Sequence, residues 1–298
     1  MKLQPLGTSD LRVSEISFGC MSLGDDHAAN ARLLHQALEG GINFFDTADL
    51  YQQGENEVTV GKALRGRRLE AVLATKVGNQ WRPDGKGWDW NPTKAYILQA
   101  VEGSLRRLET DYIDLYQLHG GTIGDPIEET IEAFELLKQQ GKIRAYGISS
   151  IRPNVIREYV RRAGLTSVMM QYSLLDRRPE ESSLASLHEH RISVLARGSF
   201  AQGLLAGKPA KPYLNYSAAE VARAAQAVQT AVQPPRPMAE TAVQFALAQP
   251  AITAAVLGIR TEQQLREAIA AGQAPPLTDA ELAHLRGALS VNHYEQHR

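Results

Sequence analysis

The sequence predicts one domain over residues 1–298, an α/β fold of the (β/α)8 TIM-barrel class with a short N-terminal β-hairpin and extra C-terminal helices. Three observations predict it. Eight short apolar runs of strand character alternate along the chain with amphipathic helical stretches, the pattern that builds a parallel sheet covered by helices. No composition break, internal repeat or low-complexity tract divides the chain. No G-x-G-x-x-G follows the first run, which weakens the competing doubly wound sheet.

Taken in order, Lys2–Gly7 and Leu11–Ser14 form two short strands about a turn, ahead of any barrel strand. The first run, Ile16–Gly19, leads to a helix from about Ala28 to Glu39 that ends at Gly40-Gly41. The second, Ile42–Phe45, is followed by a helix near Glu55–Leu64. The third, Ala71–Thr75, ends at Lys76 and gives way to a long loop with Trp81, Trp88 and Trp90, then a helix over Thr93–Leu108. The fourth, Tyr112–Leu118, ends at His119. Asp125-Pro126-Ile127-Glu128 then predicts a helix start, with Asp125 as N-cap, proline at the first helical position and an acid at the third.

The fifth run is Ile143–Ser149, with a helix after Pro153; the sixth and seventh are Ser167–Gln171 and Ile192–Leu195. The eighth, Ile252–Leu257, passes into Gly258-Ile259-Arg260-Thr261. Before it lie a loop over Gly198–Ser217 and helices near Ala218–Val232 and Met238–Ala248, joined by the connector Pro234-Pro235-Arg236-Pro237. Thr278-Asp279-Ala280-Glu281 is a capping box that opens a final helix.

Three runs end on chemistry. Asp46 follows the second run with Tyr51 on the loop beyond, Lys76 ends the third, and His119 the fourth. In a parallel barrel those carboxyl ends share one face, the face on which reactions occur. Carbonyl reduction needs a hydride donor and a proton for the developing alkoxide. Tyr51 is a candidate acid, although a free phenol has a pKa of about 10. An ammonium at Lys76 would lower it. Asp46 would be the counter-ion of that lysine in an apolar barrel mouth, and His119 would donate a hydrogen bond that orients the substrate oxygen. Each residue has a plainer reading. Asp46 and Asp49 are possible caps of the next helix, which is the preferred role for Asp49. Tyr51 alone would be a packing residue, Lys76 a strand-end surface lysine and His119 a satisfied core histidine. It is the four together, at the ends of three consecutive units, that favour chemistry.

Composition bounds the rest. With 32 basic against 33 acidic residues and a formal net charge of −1, no global field attracts nucleic acid or an anionic membrane. The single cysteine, Cys20, excludes an internal disulfide framework and a cysteine-based zinc cluster, and no metal site is predicted. No signal-like segment or bilayer-length apolar run is present, so a soluble cytoplasmic protein is expected.

The motifs resemble those of the aldo-keto reductase superfamily along almost all of the chain. Gly41-Ile42-Asn43-Phe44-Phe45-Asp46-Thr47-Ala48 through Tyr51 is similar to the signature around that family's catalytic Asp and Tyr. Thr75-Lys76 is similar to its lysine motif, and Ser104–Leu108 with Asp111–Leu115 and His119 to its third. Lys142–Arg144 with Tyr146–Ser149 is similar to the strand before its nicotinamide-contacting Ser/Asn. The resemblance implies an NAD(P)H-dependent enzyme reducing aldehydes and ketones, with Tyr51 as proton donor, Lys76 and Asp46 tuning it, and His119 orienting the carbonyl. The implied cofactor is NADPH, with NADH possible, bound without a Rossmann domain. The implied partner is a small-molecule carbonyl substrate; no oligomeric state follows.

The resemblance also implies cofactor contacts. Ser149, Ser150 and Gln171 take the carboxamide positions, Ser150 standing where the family often has Asn, and Tyr172 the position of the aromatic that stacks on the nicotinamide. Ser199, Gly203 and Leu205 fall in the pyrophosphate loop. Gly258, Arg260, Gln264 and Glu267 fall at the adenosine end, where Arg260 would meet a 2′-phosphate in bidentate fashion. Ala268 replaces the Asn usual after that Glu, removing one adenine contact. Thr261 and Gln264 also fit a capping box. The tryptophans would either wall a substrate pocket or pack their loop onto the barrel, and Tyr213 and Tyr216 would reach its rim. Two other functions compete: a nicotinamide-binding sensor with slow turnover, and a barrel lyase that uses Lys76 as a Schiff base.

Overall fold

A computed structural model describes all residues, 1–298. Eight parallel strands close into a barrel: β3 (Ile16–Gly19), β4 (Phe44–Asp46), β5 (Val72–Val77), β8 (Ile113–Leu118), β9 (Ile143–Ser149), β10 (Ser167–Gln171), β11 (Ser193–Arg197) and β12 (Ile252–Gly258). Two antiparallel pairs stand outside it. β1 (Leu3–Pro5) and β2 (Arg12–Ser14) form the N-terminal hairpin, and β6 (Asn79–Trp81) and β7 (Trp88–Trp90) form a second one within the tryptophan loop.

The helices are α1 (His27–Glu39), α2 (Glu55–Leu64), α3 (Lys94–Leu108), α4 (Ile127–Gln139), α5 (Pro153–Arg162), α6 (Ser183–Glu189), α7 (Ala218–Thr230), α8 (Met238–Leu247), α9 (Glu262–Gln273) and α10 (Asp279–Gly287). No helix is long and apolar enough to cross a membrane.

The period-two alternation of the strands sorts their residues into two cores. Inside the barrel, Phe44, Val72, Ala74, Leu115, Ala145, Met169, Leu195, Ala254 and Val256 pack with Leu6, Leu11 and Val13. The N-terminal hairpin thus plugs the amino-terminal end. Phe18, Phe45, Leu73, Tyr116 and Ile148 point the other way and join the larger core under the helices. Counting by twos from the inward set toward the carboxyl ends gives Asp46, Lys76, Gln117, Ser149, Gln171, Arg197 and Gly258. These residues form the topmost inward layer, at the open end.

Several boundaries differ from the sequence expectation. The ladder of β4 begins at Phe44, because the Asn43 side chain is bonded to Ser14 N and Arg12 O (2.8 and 2.9 Å), which ties the strand to the hairpin. Asp46 is the last residue of β4 and Lys76 the last but one of β5. Asp125 does not cap α4. Pro126 precedes its first residue without a side-chain bond, and Asp125 instead accepts from Trp90 Nε1 (3.0 Å) and from Thr122 N and Oγ1 (both 2.6 Å). Asp49 does not cap α2, whose N-cap is Gly54; it is buried beside the site with Oδ1 unbonded. The capping box at Thr278 and Glu281 forms in both directions.

At the closed end Asp114 is 1% exposed and accepts from Arg68 Nη2 (2.7 Å), Leu73 N (2.9 Å) and Arg144 Nη1 (2.8 Å). Asp114→Ala strands a buried N–H and two guanidinium groups, and is expected to cost about 3 kcal/mol. Urea unfolding at equilibrium would measure this. A midpoint equal to that of the parent chain would deny the carboxylate its structural role.

Candidate active site

Lys76 is the centre of the open end. Its ammonium donates to Asp46 Oδ2 (2.6 Å), the Thr47 carbonyl (2.7 Å) and the Tyr51 hydroxyl (3.3 Å). The side chains of Lys76 and Asp46 are 1% and 5% exposed, and Gln117 Nε2 donates to the second carboxylate oxygen (3.2 Å). Burial works against the lysine's charge, but Asp46 and Tyr51 more than offset it, and its pKa rises. Burial pushes Asp46 up, and Lys76 opposes that shift. With every ammonium hydrogen facing an acceptor, the pair is ionised at neutral pH.

Tyr51 and His119 stand beside this pair. Their rings meet edge to face, with centroids 5.8 Å apart. Burial raises the Tyr51 pKa above the ordinary phenol value, and Lys76 opposes this without reversing it. The expected net acidification by Lys76 is thus not what the site shows. Tyr51 holds its proton at neutral pH. His119 moves in the opposite sense: burial, then Lys76, then Arg197, bring it down from 6.5 to about 3. Its imidazole is neutral at neutral pH, and its Nδ1 is buried without a partner.

The backbone around Tyr51 is strained. Gln52 and Gln53, immediately after it, lie in the left-handed region at φ 50° and 55°, where each non-glycine residue costs about 1–2 kcal/mol. Gly54 follows at φ 93°.

The four residues open into a cleft with two lobes that share Ser22, Gly198, Gln202, Val256 and Gly258. The larger, about 990 Å³, is lined by Asp46, Tyr51, Lys76 and His119 together with Ser149, Ser150 and Gln171. Its outer wall includes Trp88, Trp90 and Tyr213. The bond to Asp125 holds Trp90 so close over Gly78 and Gly120 that a Cβ there would lie 2.6 and 3.3 Å from its ring. The smaller lobe, about 470 Å³, is lined by Ser199, Gly203, Gln264, Glu267, Ala268 and Lys208.

Other expected contacts fall elsewhere. Tyr172 is 1% exposed, stacks on Phe245 and donates its hydroxyl to Glu180 (2.6 Å), so its ring belongs to the packing behind the wall. Leu205 is wholly buried in the outer core. Tyr216 gives its hydroxyl to the Ser290 carbonyl. Arg260 sits at the rim, where its Nε donates to the Ser22 carbonyl (3.0 Å). Thr261 caps α9 through Gln264 N, but the Gln264 side chain turns to Arg260 N, so the box closes on one side only.

The sequence reading missed Gln117, Gln202, Arg197 and Lys208. Gln117 and Arg197 carry a legible signal, since each shares the inward parity of an expected residue. Gln202 carries none, because its place depends on a left-handed φ of 61°.

The small lobe fits a group with hydrogen-bonding anionic parts. Ser199 Oγ is buried there without a partner. Gly258 leaves its wall bare, since a Cβ would come within 2.7 Å of Ser22 Oγ. Lys208 and Arg260 supply positive charge at its edges. No cluster of His, Cys, Asp or Glu in the structure is arranged to hold a metal ion.

The profile of the Aldo/keto reductase family matches residues 15–290. The chain is 53% identical to the aldo-keto reductase AKR11C1 from Bacillus halodurans in its holo form, with a TM-score of 0.95 over 100% of this chain and 99% of that one. It is 52% identical, over the full length of both, to the oxidoreductase YqkF of Bacillus subtilis. It is 35% identical to the NADH-specific methylglyoxal reductase of Escherichia coli over 72% of each.

The depressed His119 makes a prediction of its own. The ring is expected to stay neutral in its NMR shifts from about pH 8 to about pH 5, and a titration near 6.5 would contradict the burial described here. The same depression makes folding less favourable as pH falls from 6.5 toward about 3. Over that window the unfolded chain takes up a proton that the folded chain refuses.

Proposed function

Because the chain belongs to the aldo/keto reductase family of nicotinamide-dependent oxidoreductases, we propose that it reduces aldehydes and ketones to alcohols with NADPH, Tyr51 giving the proton. The observation that carries this reading is the direction of the hydrogen bonds around Lys76. An ammonium has three hydrogens and no lone pair, and all three are committed, the last to the Tyr51 oxygen. Tyr51 must therefore accept from Lys76, which leaves its own hydrogen free to be donated into the cavity.

Burial keeps that proton on the phenol until a stronger base arrives. An alkoxide forming on the substrate is such a base, and once the proton has moved, the adjacent ammonium stabilises the phenolate left behind. Neutral His119, on the other side of the Tyr51 ring edge, would donate to the same carbonyl oxygen and fix its direction. Asp46 keeps Lys76 charged and in place. A bound reduced nicotinamide dinucleotide would supply the hydride to the carbonyl carbon.

In this reading Ser149, Ser150 and Gln171 hold the carboxamide in the larger lobe, and Ser199, Gly203 and Gly258 border the phosphates. Gln264 and Glu267 receive the adenosine end, and Arg260 leaves the rim to meet a 2′-phosphate. Tyr172 and Leu205 contribute packing alone. NADH is the alternative cofactor, favoured by the relative named for its NADH specificity.

Tyr51→Phe is expected to lower kcat for a reactive aldehyde by about 10²–10⁴-fold while nicotinamide binding, read by fluorescence quenching, persists. Undiminished turnover in that variant would reject the assigned acid. Arg260→Ala is expected to raise the KM for NADPH by about tenfold, the loss of one exposed charge-assisted contact, and to leave the KM for NADH alone. Parallel titrations with both cofactors decide this, and equal KM values for NADPH before and after would move the choice to NADH.

A further inference from the structure

Of the two left-handed glutamines after Tyr51, the first is bonded by a buried amide, Asn56. It lies in the first turn of α2 and is wholly buried. An asparagine there is a poor helix former, and a buried amide is costly unless its bonds are made. They are made. Asn56 Oδ1 accepts from Thr47 Oγ1 (2.6 Å), and Nδ2 donates to the Cys20 carbonyl (2.9 Å) and to Gln52 Oε1 (3.2 Å).

Each partner leads to the site. Thr47 turns its own carbonyl to the Lys76 ammonium. Cys20 directly follows β3, whose last residue, Gly19, lines the larger lobe. Gln52 is the first left-handed residue after Tyr51, and its amide nitrogen also reaches Asp25 Oδ1 (3.1 Å). One carboxamide thus ties the turn that carries Tyr51 to both the barrel wall and an acceptor of Lys76.

We infer that Asn56 is a positioning residue for the Tyr51 phenol, holding the strained turn so that the hydroxyl meets Lys76 and faces the cavity. The inference rests on Tyr51 being the proton donor. No other side chain reproduces the clamp: aspartate keeps the acceptor and loses both donors, serine is too short, and leucine loses all three bonds.

Asn56→Asp is expected to lower kcat by about 10–100-fold, the order lost when a reacting group is misplaced by about an ångström, with the KM for the nicotinamide cofactor nearly unchanged. Gln52→Gly provides a second variant on the exposed side of the clamp. Glycine accepts the left-handed φ without strain, which offsets part of the loss of the bonds to Asn56 and Asp25, so the protein is expected to stay folded in thermal unfolding, yet kcat is expected to fall several-fold. In a Tyr51→Phe background Asn56→Asp is expected to cost nothing more, because the group it positions is gone. Losses that simply multiply in that background, or a parental kcat in Gln52→Gly, would overturn the inference. Full activity of Tyr51→Phe itself would instead reject the proton donor, so the two failures are told apart.

Discussion

Everything at the open end depends on one buried ion pair. Removing a carboxylate and an ammonium from water costs several kcal/mol per ion even after relaxation, and Lys76 and Asp46 are almost wholly removed. What makes the pair tolerable is saturation. Lys76 has three acceptors for three hydrogens, and Asp46 receives Gln117 on its second oxygen. The donors and acceptors come from β4 and the loop after it, from β5 and from β8, and the three strands are neighbours in the barrel, so closing the sheet assembles the pair. The same charge then acts on two neighbours with opposite results. It opposes burial at Tyr51 and reinforces it at His119. Both end as neutral groups able to donate a hydrogen bond, set against a fixed positive charge.

The barrel and its chemical residues were legible for one reason. Strands alternate by two, and the open end is wherever the apolar inward series stops. Phe44 precedes Asp46, Val72 and Ala74 precede Lys76, and Leu115 precedes His119 by two steps. The step between, Gln117, shares that inward parity and was overlooked because it lies inside the run instead of at its end. Tyr172 shows the opposite error. It lies one residue past inward-facing Gln171, and its aromatic character suggested a stacking role that its own packing on Phe245 takes up.

The two misread helix caps fail for different reasons. Asp125 satisfies the sequence rule for an N-cap, yet its carboxylate is taken by Thr122 N and Oγ1 before it in the loop and by the indole of Trp90 from outside the loop. Asp49 sits where a cap is expected, but three left-handed residues delay α2 until after Gly54. Glycine is the only common cue for such a turn, and here Gln52 and Gln53 adopt it with no cue at all. A positive φ at an ordinary side chain is imposed by surrounding contacts, and so it cannot be inferred from the residue that bears it.

The two lobes of the cleft differ in what builds them, and this difference bears on how each tolerates change. The larger lobe is floored by strand ends such as Asp46, Lys76, Ser149 and Gln171, whose inward parity is set by the barrel, and walled by the loops beyond them. The smaller lobe is formed by the turn around Gln202 and Gly203 and by the first turns of α9, set against Val256, Leu257 and Gly258 of β12. None of its lining residues bonds the Lys76 or Asp46 side chain. On the proposed reading, exchange there would alter how tightly a dinucleotide is held, whereas alteration of the strand ends would alter whether a proton can be given. Ala268 illustrates the first case: a small residue on the buried face of α9 leaves the lobe intact and removes only the polar contact that a longer side chain would make there.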